Sequence, residues 1–318
     1  MTRSLVTGAA GFLGSHVCEA LLARGDEVCG VDSFTEYYDP ALKRANLATA
    51  LAAGLSFRQL DLCSDGLDEL LRGVDVVFPL AGQPGVRPSW GEDFAVYAQR
   101  NVVATQRLLE ASTRAGVGRF VFASSSSVYG ESDGRAMRES TRRRPVSPYG
   151  LTKSACEDLV DVYRRTNGLS AVSLRYFTIY GPRQRPEMAF ATFIRCVLEG
   201  KAVPVLGDGR QTRDFTYVSD AVAATLAAAE RGDSQVYNVS GGASASVLKA
   251  LDEIELLTGR RAIVELGRAA RGDARHTRAD LGLAAHELRY RPTVGLREGL
   301  ARQIDAYAAG DEPLEAVA

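Results

Sequence analysis

Tyr149 and Lys153, two side chains that can together serve in proton transfer, lie four residues apart in the sequence. The preceding Ser147-Pro148 is typical of a helix start, and Asn167-Gly168 is typical of a helix end. Residues four apart project from one face of such a helix. An ammonium beside a phenol favours the phenolate, which can take a proton from an alcohol and return it to a ketone. Chance pairs with this spacing are common, so the rest of the chain must supply the context.

The composition excludes several classes of protein. The chain has 318 residues, 46% of them hydrophobic, and 38 basic against 39 acidic residues give a net charge of -1. No overall field therefore attracts nucleic acid or a membrane surface. Five dispersed cysteines without a CxxC motif, and three scattered histidines, argue against a disulfide framework and against a metal site. No apolar run is long enough to span a membrane, and we predict a soluble cytoplasmic protein.

A glycine-rich turn near the start of the chain predicts a site for a dinucleotide. The apolar run Ser4 to Thr7 is followed by Gly8-Ala9-Ala10-Gly11-Phe12-Leu13-Gly14 and then by a helical pattern from Ser15 to about Ala23. Glycines in such a turn let a pyrophosphate approach the N-terminus of the helix, although a turn with mere packing glycines is the alternative. Asp32 follows the next predicted strand, 27–31, where a carboxylate can bind ribose hydroxyls and repel a 2′-phosphate. The pattern favours NAD over NADP.

Strands and helices continue to alternate along the chain. We predict strands at 55–60, 74–80, 119–123, 171–175 and 236–239, and a helix carrying Asn101 at about 93–115. This alternation predicts a Rossmann-type, doubly wound parallel sheet, whose ligands bind at the carboxyl ends of the strands. Asp61-Leu62, Ala81-Gly82 and the serines 124–127 all follow predicted strands. Four serines in a row could also form a flexible linker, but their position after a buried strand favours a loop at a site.

The composition changes after residue 175. Two basic loops, 181–186 and 207–214, and irregular segments with short helices from Ala243 to Tyr307 predict a smaller, partly helical lobe. We assign residues 1–175 and 214–245 to the NAD-binding domain, and residues 176–213 and 246–318 to the substrate-binding lobe. The tail from Gly310 is predicted to be frayed.

These motifs, in this order, resemble the extended short-chain dehydrogenase/reductases, and within them the nucleotide-sugar epimerases. The stretch from Arg175 to Ala189 looks most like UDP-glucuronate 4-epimerases. The sequence departs from the family at Pro79, where histidine is usual, and at Arg271-Gly272-Asp273, where Pro-Gly-Asp is usual. Neither departure touches the expected catalytic residues.

The resemblance implies a role for each matching residue. Ser125, Tyr149 and Lys153 are expected to be catalytic. The expected NAD contacts are Gly8, Gly11, Phe12, Leu13, Gly14, Asp32, Asp61, Leu62, Leu80, Ala81, Gly82, Asn101, Tyr149, Lys153 and Tyr176. The expected substrate contacts are Arg87, Ser125, Ser126, Ser127, Tyr149, Thr178, Arg185, Ala189, Arg213, Arg271 and Asp273. No metal is expected, and the resemblance implies a homodimer formed through the helices that contain Asn101 and Tyr149.

The implied reaction is inversion at C4 of a UDP-sugar through a transient 4-keto sugar. Thr178 and Arg185 favour UDP-glucuronate, giving UDP-galacturonate, because an arginine can hold a carboxylate by two parallel hydrogen bonds. UDP-glucose and UDP-N-acetylglucosamine remain alternatives, since Arg185 could instead pair with Glu187 or a phosphate. UDP-glucuronate decarboxylation and nucleotide-sugar dehydration are less favoured; dehydratases carry an acid and a base at the positions of Ser126 and Ser127. A sensor or scaffold without activity is disfavoured because the Ser, Tyr and Lys set is complete.

Overall fold

A computed structural model describes residues 1–309 of the chain, so the predicted frayed tail from Gly310 lies outside the described residues. In chain order the strands are β1 (Arg3–Thr7), β2 (Glu27–Asp32), β3 (Ser56–Gln59), β4 (Val76–Pro79), β5 (Arg119–Ser125), β6 (Ala171–Tyr176), β7 (Ile179–Tyr180), β8 (Ala202–Leu206), β9 (Thr212–Asp214), β10 (Thr216–Tyr217), β11 (Val236–Val239), β12 (Ser244–Ser246) and β13 (Ile263–Gly267). The helices are α1 (Phe12–Ala23), α2 (Pro40–Ala52), α3 (Phe94–Tyr97), α4 (Ala104–Ala115), α5 (Pro148–Asn167), α6 (Ala189–Glu199), α7 (Val218–Glu230), α8 (Val247–Thr258), α9 (Gly282–Glu287) and α10 (Leu296–Ala308).

Seven parallel strands form the central sheet in the order β11-β6-β5-β4-β1-β2-β3. The order reverses between β1 and β4, where Thr7 pairs with Pro79. In such sheets a ligand binds outside the carboxyl ends of the strands at this reversal. The predicted fold class, a Rossmann-type doubly wound sheet, is confirmed.

Apolar side chains bury both faces of this sheet, which is why β4 and β6 are buried along their whole length. On one face lies a cluster that includes Val17 of α1, Leu47 of α2 and Ala221 of α7. On the other face lies a cluster that includes Leu108 of α4 and Val160 of α5. The helix that carries Tyr149 and Lys153 is thus held against the sheet by its buried side.

The helix predicted over 93–115 is interrupted in the structure. A 3₁₀ turn at Gly91–Asp93 precedes α3, and a π-helical segment at Ala98–Val103 separates α3 from α4. The extra residue of a π turn changes the direction of the side chains around it. Asn101 lies in this segment, so the interruption sets where its side chain points.

A second layer covers the sheet's carboxyl edge and contains α6, α8, α10 and the parallel pair β8 and β13. The prediction of irregular segments with short helices from Ala243 onward is wrong for α8 and α10, which have 12 and 13 residues. Ser246 caps α8 and Gly259 ends it in the left-handed conformation, so local capping defines a full helix there. The domain boundaries stay a prediction. Ala284 and Leu288, which we assigned to the substrate-binding lobe, pack in the same apolar cluster as residues of the central sheet.

Among residues 1–309, no helix is long and apolar enough to cross a membrane. The same residues contain no group of three or more His, Cys, Asp or Glu side chains arranged to hold a metal ion.

Candidate functional site

A cleft of about 730 Å³ runs along the carboxyl edge of the sheet, between the strand ends and the second layer. Its floor is the loop from β1 to α1. Gly8 has a φ of 70°, and a Cβ added to it would lie 2.7 Å from the backbone nitrogen of Ala81. A Cβ on Gly14 would lie 2.0 Å from the carbonyl oxygen of Gly8. Only glycine fits at these positions, and the bare turn presents the N-terminus of α1 to the cleft, which is a site for a phosphate group.

The predicted ribose carboxylate, Asp32, ends β2 and lines the cleft. Its Oδ1 accepts the backbone N–H of Phe34 at 2.8 Å. Close by, the nearly buried Lys43 donates to the carbonyl and hydroxyl oxygens of Thr35 at 2.7 and 3.0 Å. Burial lowers the pKa of Lys43, while the nearby Asp32 carboxylate opposes that shift. Lys43 was missed from the sequence, where only its rarity as one of four lysines marks it.

Most other predicted cofactor residues line the same cleft. They are Gly11, Phe12, Leu13, Asp61, Leu62, Leu80, Ala81, Gly82 and Tyr176. The phenol hydroxyl of Tyr176, however, lies 2.6 Å from Thr225 Oγ1 inside the core, so it is the rest of this residue that faces the cleft. Together with Asp32 and the glycine turn, these residues line a cleft that suits a dinucleotide.

Asn101 lies behind the wall rather than on it. Its Oδ1 accepts the backbone N–H of Gln83 at 2.7 Å, and its Nδ2 donates to the carbonyl oxygen of Gln83 and to Thr152 Oγ1, both at 3.1 Å. The side chain thereby ties the loop after β4 to helix α5. Its predicted role as a cofactor contact remains a prediction, and the structure gives Asn101 a positioning role.

The three expected catalytic residues reach the cleft from two elements. Ser125 ends β5, whereas Tyr149 and Lys153 lie in the first two turns of α5, which starts at Pro148 with Ser147 as its cap. Lys153 is 7% exposed and donates from Nζ to the carbonyl oxygen of Ala123 at 2.8 Å. Ser125 Oγ donates to Ser127 Oγ at 3.1 Å and accepts the Ser127 N–H at 3.1 Å. The structure therefore brings a hydroxyl, a phenol and an ammonium to one cleft.

The aromatic ring of Tyr149 is held from the side. It packs edge-on against Tyr97, with the ring centroids 6.3 Å apart, and Tyr97 itself donates to the carbonyl oxygen of Pro84 at 2.7 Å. The Tyr149 N–H donates to Ser89 Oγ at 3.1 Å. These contacts fix the phenol relative to the loop after β4.

A buried polar network lies directly behind these residues. The carboxylate of Glu157, one helical turn after Lys153, accepts from Arg175 Nε and Nη2 at 2.8 and 2.6 Å. Each of these two side chains is 4% exposed. Ser124 donates to the same carboxylate at 2.5 Å. Arg175 also donates to Tyr129, whose pKa is raised to about 12 mainly by burial. The network joins β5, α5 and β6 at their catalytic ends.

The predicted substrate residues divide into those that line the cleft and one that does not. Arg87, Ser126, Ser127, Thr178, Arg185, Ala189, Arg213 and Asp273 line it, together with Ser125 and Tyr149. Arg271 does not; its guanidinium stacks on the Trp90 ring at 3.7 Å. Beside it, Arg87 pairs with Asp273 at 3.2 Å across the two sides of the cleft. Burial lowers the pKa of Arg213, while nearby Asp273 opposes that shift.

Arg185 lies on a loop, 181–187, that is anchored to helix α1. His16 Nε2 lies 3.0 Å from the carbonyl oxygen of Pro182, and Arg183 Nη1 donates to Ser15 Oγ at 3.2 Å and to Glu19 Oε1 at 2.7 Å. Arg183 adopts a φ of 65°, a conformation that non-glycine residues rarely take. The anchored loop presents Arg185 to the cleft, where its Nε donates to Glu187 Oε1 at 2.7 Å. Arg185 thus makes the pairing with Glu187 that the less favoured alternative named.

Sequence reasoning missed part of the cleft wall. Besides Lys43, the missed residues are Tyr37, Tyr38, Gln83, Arg100, Phe190, Phe193, Gln211 and Phe215. Tyr37 and Tyr38 follow Asp32 closely, so their position after a strand end was a usable signal. The aromatic residues of α6 and β9–β10 reach the cleft only through the packing of the second layer, which no short motif reveals.

Comparison with known proteins places this cleft in a known context. The model of the NAD dependent epimerase/dehydratase family matches residues 4–240. A Bacillus subtilis protein described as the uncharacterized UDP-glucose epimerase YtcB is 44% identical over 306 residues, which cover 95% of this chain and 96% of that protein.

Two solved structures are similar over nearly their whole length. The Bacillus cereus UDP-glucuronic acid 4-epimerase, in complex with UDP-glucuronic acid and NAD, is 41% identical with a TM-score of 0.94, covering 97% of this chain and 99% of that one. MoeE5, in complex with UDP-glucose and NAD, is 43% identical with a TM-score of 0.88, and the coverage is again 97% and 99%.

Proposed function

Because the chain belongs to the NAD dependent epimerase/dehydratase family, we propose that it converts UDP-glucuronate into UDP-galacturonate by inverting C4 of the sugar. The observation that carries this proposal is the meeting of Ser125, Tyr149 and Lys153 with Arg185 in one cleft. The relatives support NAD as the cofactor and an NAD-dependent UDP-sugar 4-epimerase as the class of enzyme, in agreement with the predictions.

The cleft fits NAD by its own geometry. A Cβ on Gly8 or Gly14 would collide with backbone atoms, so the turn between β1 and α1 stays free of side chains at these positions and can accept the pyrophosphate. Asp32, with Lys43 beside it, is placed for the adenosine ribose. When bound, NAD supplies a reversible oxidation of the C4 carbinol, so that the sugar passes through a 4-keto form.

The residues of the chain provide the proton transfer. Tyr149 as the phenolate takes the proton of the C4 hydroxyl and later returns it. Ser125, held by its hydrogen bonds with Ser127, donates to the same sugar oxygen. The buried ammonium of Lys153, one turn further along α5, brings a positive charge to the same cleft as the Tyr149 hydroxyl.

Arg185 and Thr178 support glucuronate as the sugar. Arg185 is a partly buried cation in the cleft wall, with 21% of its side chain exposed. Its two terminal nitrogens make no hydrogen bond to any of residues 1–309, so they are available for a carboxylate. A 4-keto glucuronate is a β-keto acid that loses CO₂ when the breaking bond overlaps the ketone π system. If Arg185 holds the carboxylate away from that geometry, the same contact selects the acidic sugar and protects the 4-keto intermediate from losing CO₂.

UDP-glucose is the second candidate, with UDP-N-acetylglucosamine behind it. The ion pair between Arg185 and Glu187 favours a neutral sugar, because the arginine already has a counter-charge. The name of the Bacillus subtilis relative points the same way. Dehydration is disfavoured, because Ser126 and Ser127 cannot act as an acid and a base at neutral pH. Decarboxylation is disfavoured because Arg185 would hold the carboxylate away from the geometry in which CO₂ is lost.

The test is an assay of the purified protein on UDP-glucuronate, UDP-glucose and UDP-N-acetylglucosamine, with products separated by chromatography. We expect UDP-galacturonate from UDP-glucuronate as the fastest reaction. Arg185→Ala should lose roughly 2–4 kcal/mol of transition-state binding on UDP-glucuronate alone, and release some UDP-4-keto-pentose. A wild-type preference for UDP-glucose, or an equal loss on both sugars, refutes the assignment of the carboxylate.

The predicted homodimer belongs to the same proposal. Helices α3 to α5 expose large apolar side chains: Phe94 and Val103 at 38%, Leu151 at 53% and Val162 at 42%. Such exposure supports a subunit interface on the helices that contain Asn101 and Tyr149. Light scattering on the purified protein tests this, and Leu151→Arg should yield monomers. All five cysteines are free thiols, which supports the cytoplasmic location that we also propose.

A further inference from the structure

The sugar side of the cleft already contains a carboxylate next to Arg185. Glu187 accepts the Nε hydrogen of Arg185 at 2.7 Å, and both residues line the cleft. The Glu187 side chain is 41% exposed, twice the exposed fraction of Arg185. The pair is therefore nearly neutral as seen from the cleft, although Arg185 is the expected anchor for an acidic sugar.

We propose that Glu187 is a specificity-determining residue, which balances the charge of Arg185 and thereby reduces the preference of the site for an acidic over a neutral sugar. This inference rests on the proposed function. It differs from a simple orienting role, in which Glu187 would only point the guanidinium at the substrate and so increase the preference for the acid.

The geometry of the pair explains why both kinds of sugar are affected. A guanidinium has five N–H donors in a planar fork, and Glu187 uses the one on Nε. A sugar carboxylate on the other edge gains two hydrogen bonds but also faces a second carboxylate a few ångströms away, which repels it. A neutral sugar meets a compensated ion pair instead of a partly buried cation that a bound sugar would leave without a partner, which is costly.

The walls around the pair keep these charges effective. The phenol of Tyr37 lies against Gly85 on the opposite wall, since a Cβ on Gly85 would be 2.7 Å from the Tyr37 hydroxyl. Burial raises the pKa of Tyr37, and Glu187 adds to that shift while Arg185 opposes it. Tyr37 is therefore a neutral group near both the pair and Arg87. In a cleft where both side chains are only partly exposed, charges a few ångströms apart change binding by severalfold.

The decisive variant is Glu187→Gln, which keeps an oxygen for Arg185 Nε and removes only the charge. We expect the ratio of kcat/KM for UDP-glucuronate to kcat/KM for UDP-glucose to rise by about three- to tenfold. The rise should come from a lower KM for the acid and a higher KM for the neutral sugar. Glu187→Asp keeps the charge and should leave the ratio near the wild-type value. Glu298→Gln, at a side chain of α10 that is 54% exposed and paired with Arg302, controls for a general loss of negative charge.

A binding experiment without turnover gives the second readout. In a Tyr149→Phe background, calorimetry should show that Glu187→Gln tightens the binding of UDP-glucuronate and weakens the binding of UDP-glucose. Both effects should be smaller at high salt. An unchanged ratio overturns the inference, and a lower ratio shows that Glu187 only orients Arg185, which also overturns it. A wild-type protein with no activity on UDP-glucuronate would instead overturn the proposed function itself.

Discussion

The ion pair behind the catalytic residues yields a sharp prediction about stability. Glu157 and Arg175 are each 4% exposed and joined by two hydrogen bonds, and Ser124 donates a third to the same carboxylate. Glu157→Gln keeps the shape of the side chain but leaves the buried guanidinium without its counter-ion. Removing one partner of a buried pair costs about 3–5 kcal/mol in the free energy of unfolding. We expect a loss of that size.

Two further variants show whether the loss arises from the pair. Arg175→Met should be destabilising by a similar amount, and the double variant should lose clearly less than the sum of the two, with a coupling of at least about 1 kcal/mol. The matched control is Glu298→Gln, which breaks an exposed pair with Arg302 whose side chains are 54% and 51% exposed. That change should cost less than about 1 kcal/mol.

The measurement is urea-induced unfolding followed by circular dichroism at neutral pH, with the m-values compared before free energies are derived. The same variants should lower kcat while they still bind NAD, because Ser124 and Arg175 adjoin Ser125 and Tyr176. If Glu157→Gln and Glu298→Gln give equal, small losses, the pair does not hold the catalytic ends of β5, β6 and α5 together.

The other predictions concern the cofactor, the proton and pH. Epimerisation should proceed with at most catalytic amounts of added NAD, and stoichiometric NADH, seen at its absorption band, would exclude this reaction. Asp32→Ala should weaken the binding of NAD in a direct titration, and an unchanged affinity would show that Asp32 does not bind the ribose. Tyr149→Phe should lower kcat by about two to four orders of magnitude while NAD affinity is kept, and a near wild-type rate refutes its acid–base role. Burial lowers the pKa of His16 below its usual 6.5, so stability should be lost as pH falls below about 6.5; His16→Gln should flatten that slope in thermal melts, whereas the exposed His286→Gln should not.

Much of the sheet and the site could be predicted because local signals specify them. Strand β11 was predicted with its observed ends, and the family resemblance is confirmed by the match over residues 4–240. Glycines in the first turn and the polar residues after each strand lie at the predicted cleft because parallel strands end at one edge. The wall residues Lys43 and Tyr37 depend on how a loop folds back, which local patterns do not encode.

The side-chain directions of Asn101 and Arg271 could not be predicted from the sequence. The family resemblance implies a binding role for both residues, which stays a prediction, but it does not say what each side chain contacts within the fold. The π-helical segment turns Asn101 toward the backbone of Gln83, and Trp90 offers Arg271 a ring to stack on. Both directions arise from tertiary neighbours that lie far away in the sequence.

The anchoring of loop 181–187 on helix α1 has a consequence for how this scaffold can change. Arg185 and Glu187, which we propose to select the sugar together with Thr178, lie on this one short segment, whereas the proton-transfer residues lie on β5 and α5. The segment is fastened through Pro182 and Arg183 to His16, Ser15 and Glu19, and not through Arg185. Selectivity and chemistry are therefore separable modules. An engineer who exchanges residues 185–189 but keeps Pro182, Arg183 and the buried, hydrogen-bonded Gln184 should be able to redirect the enzyme to other sugars without changing its proton-transfer residues.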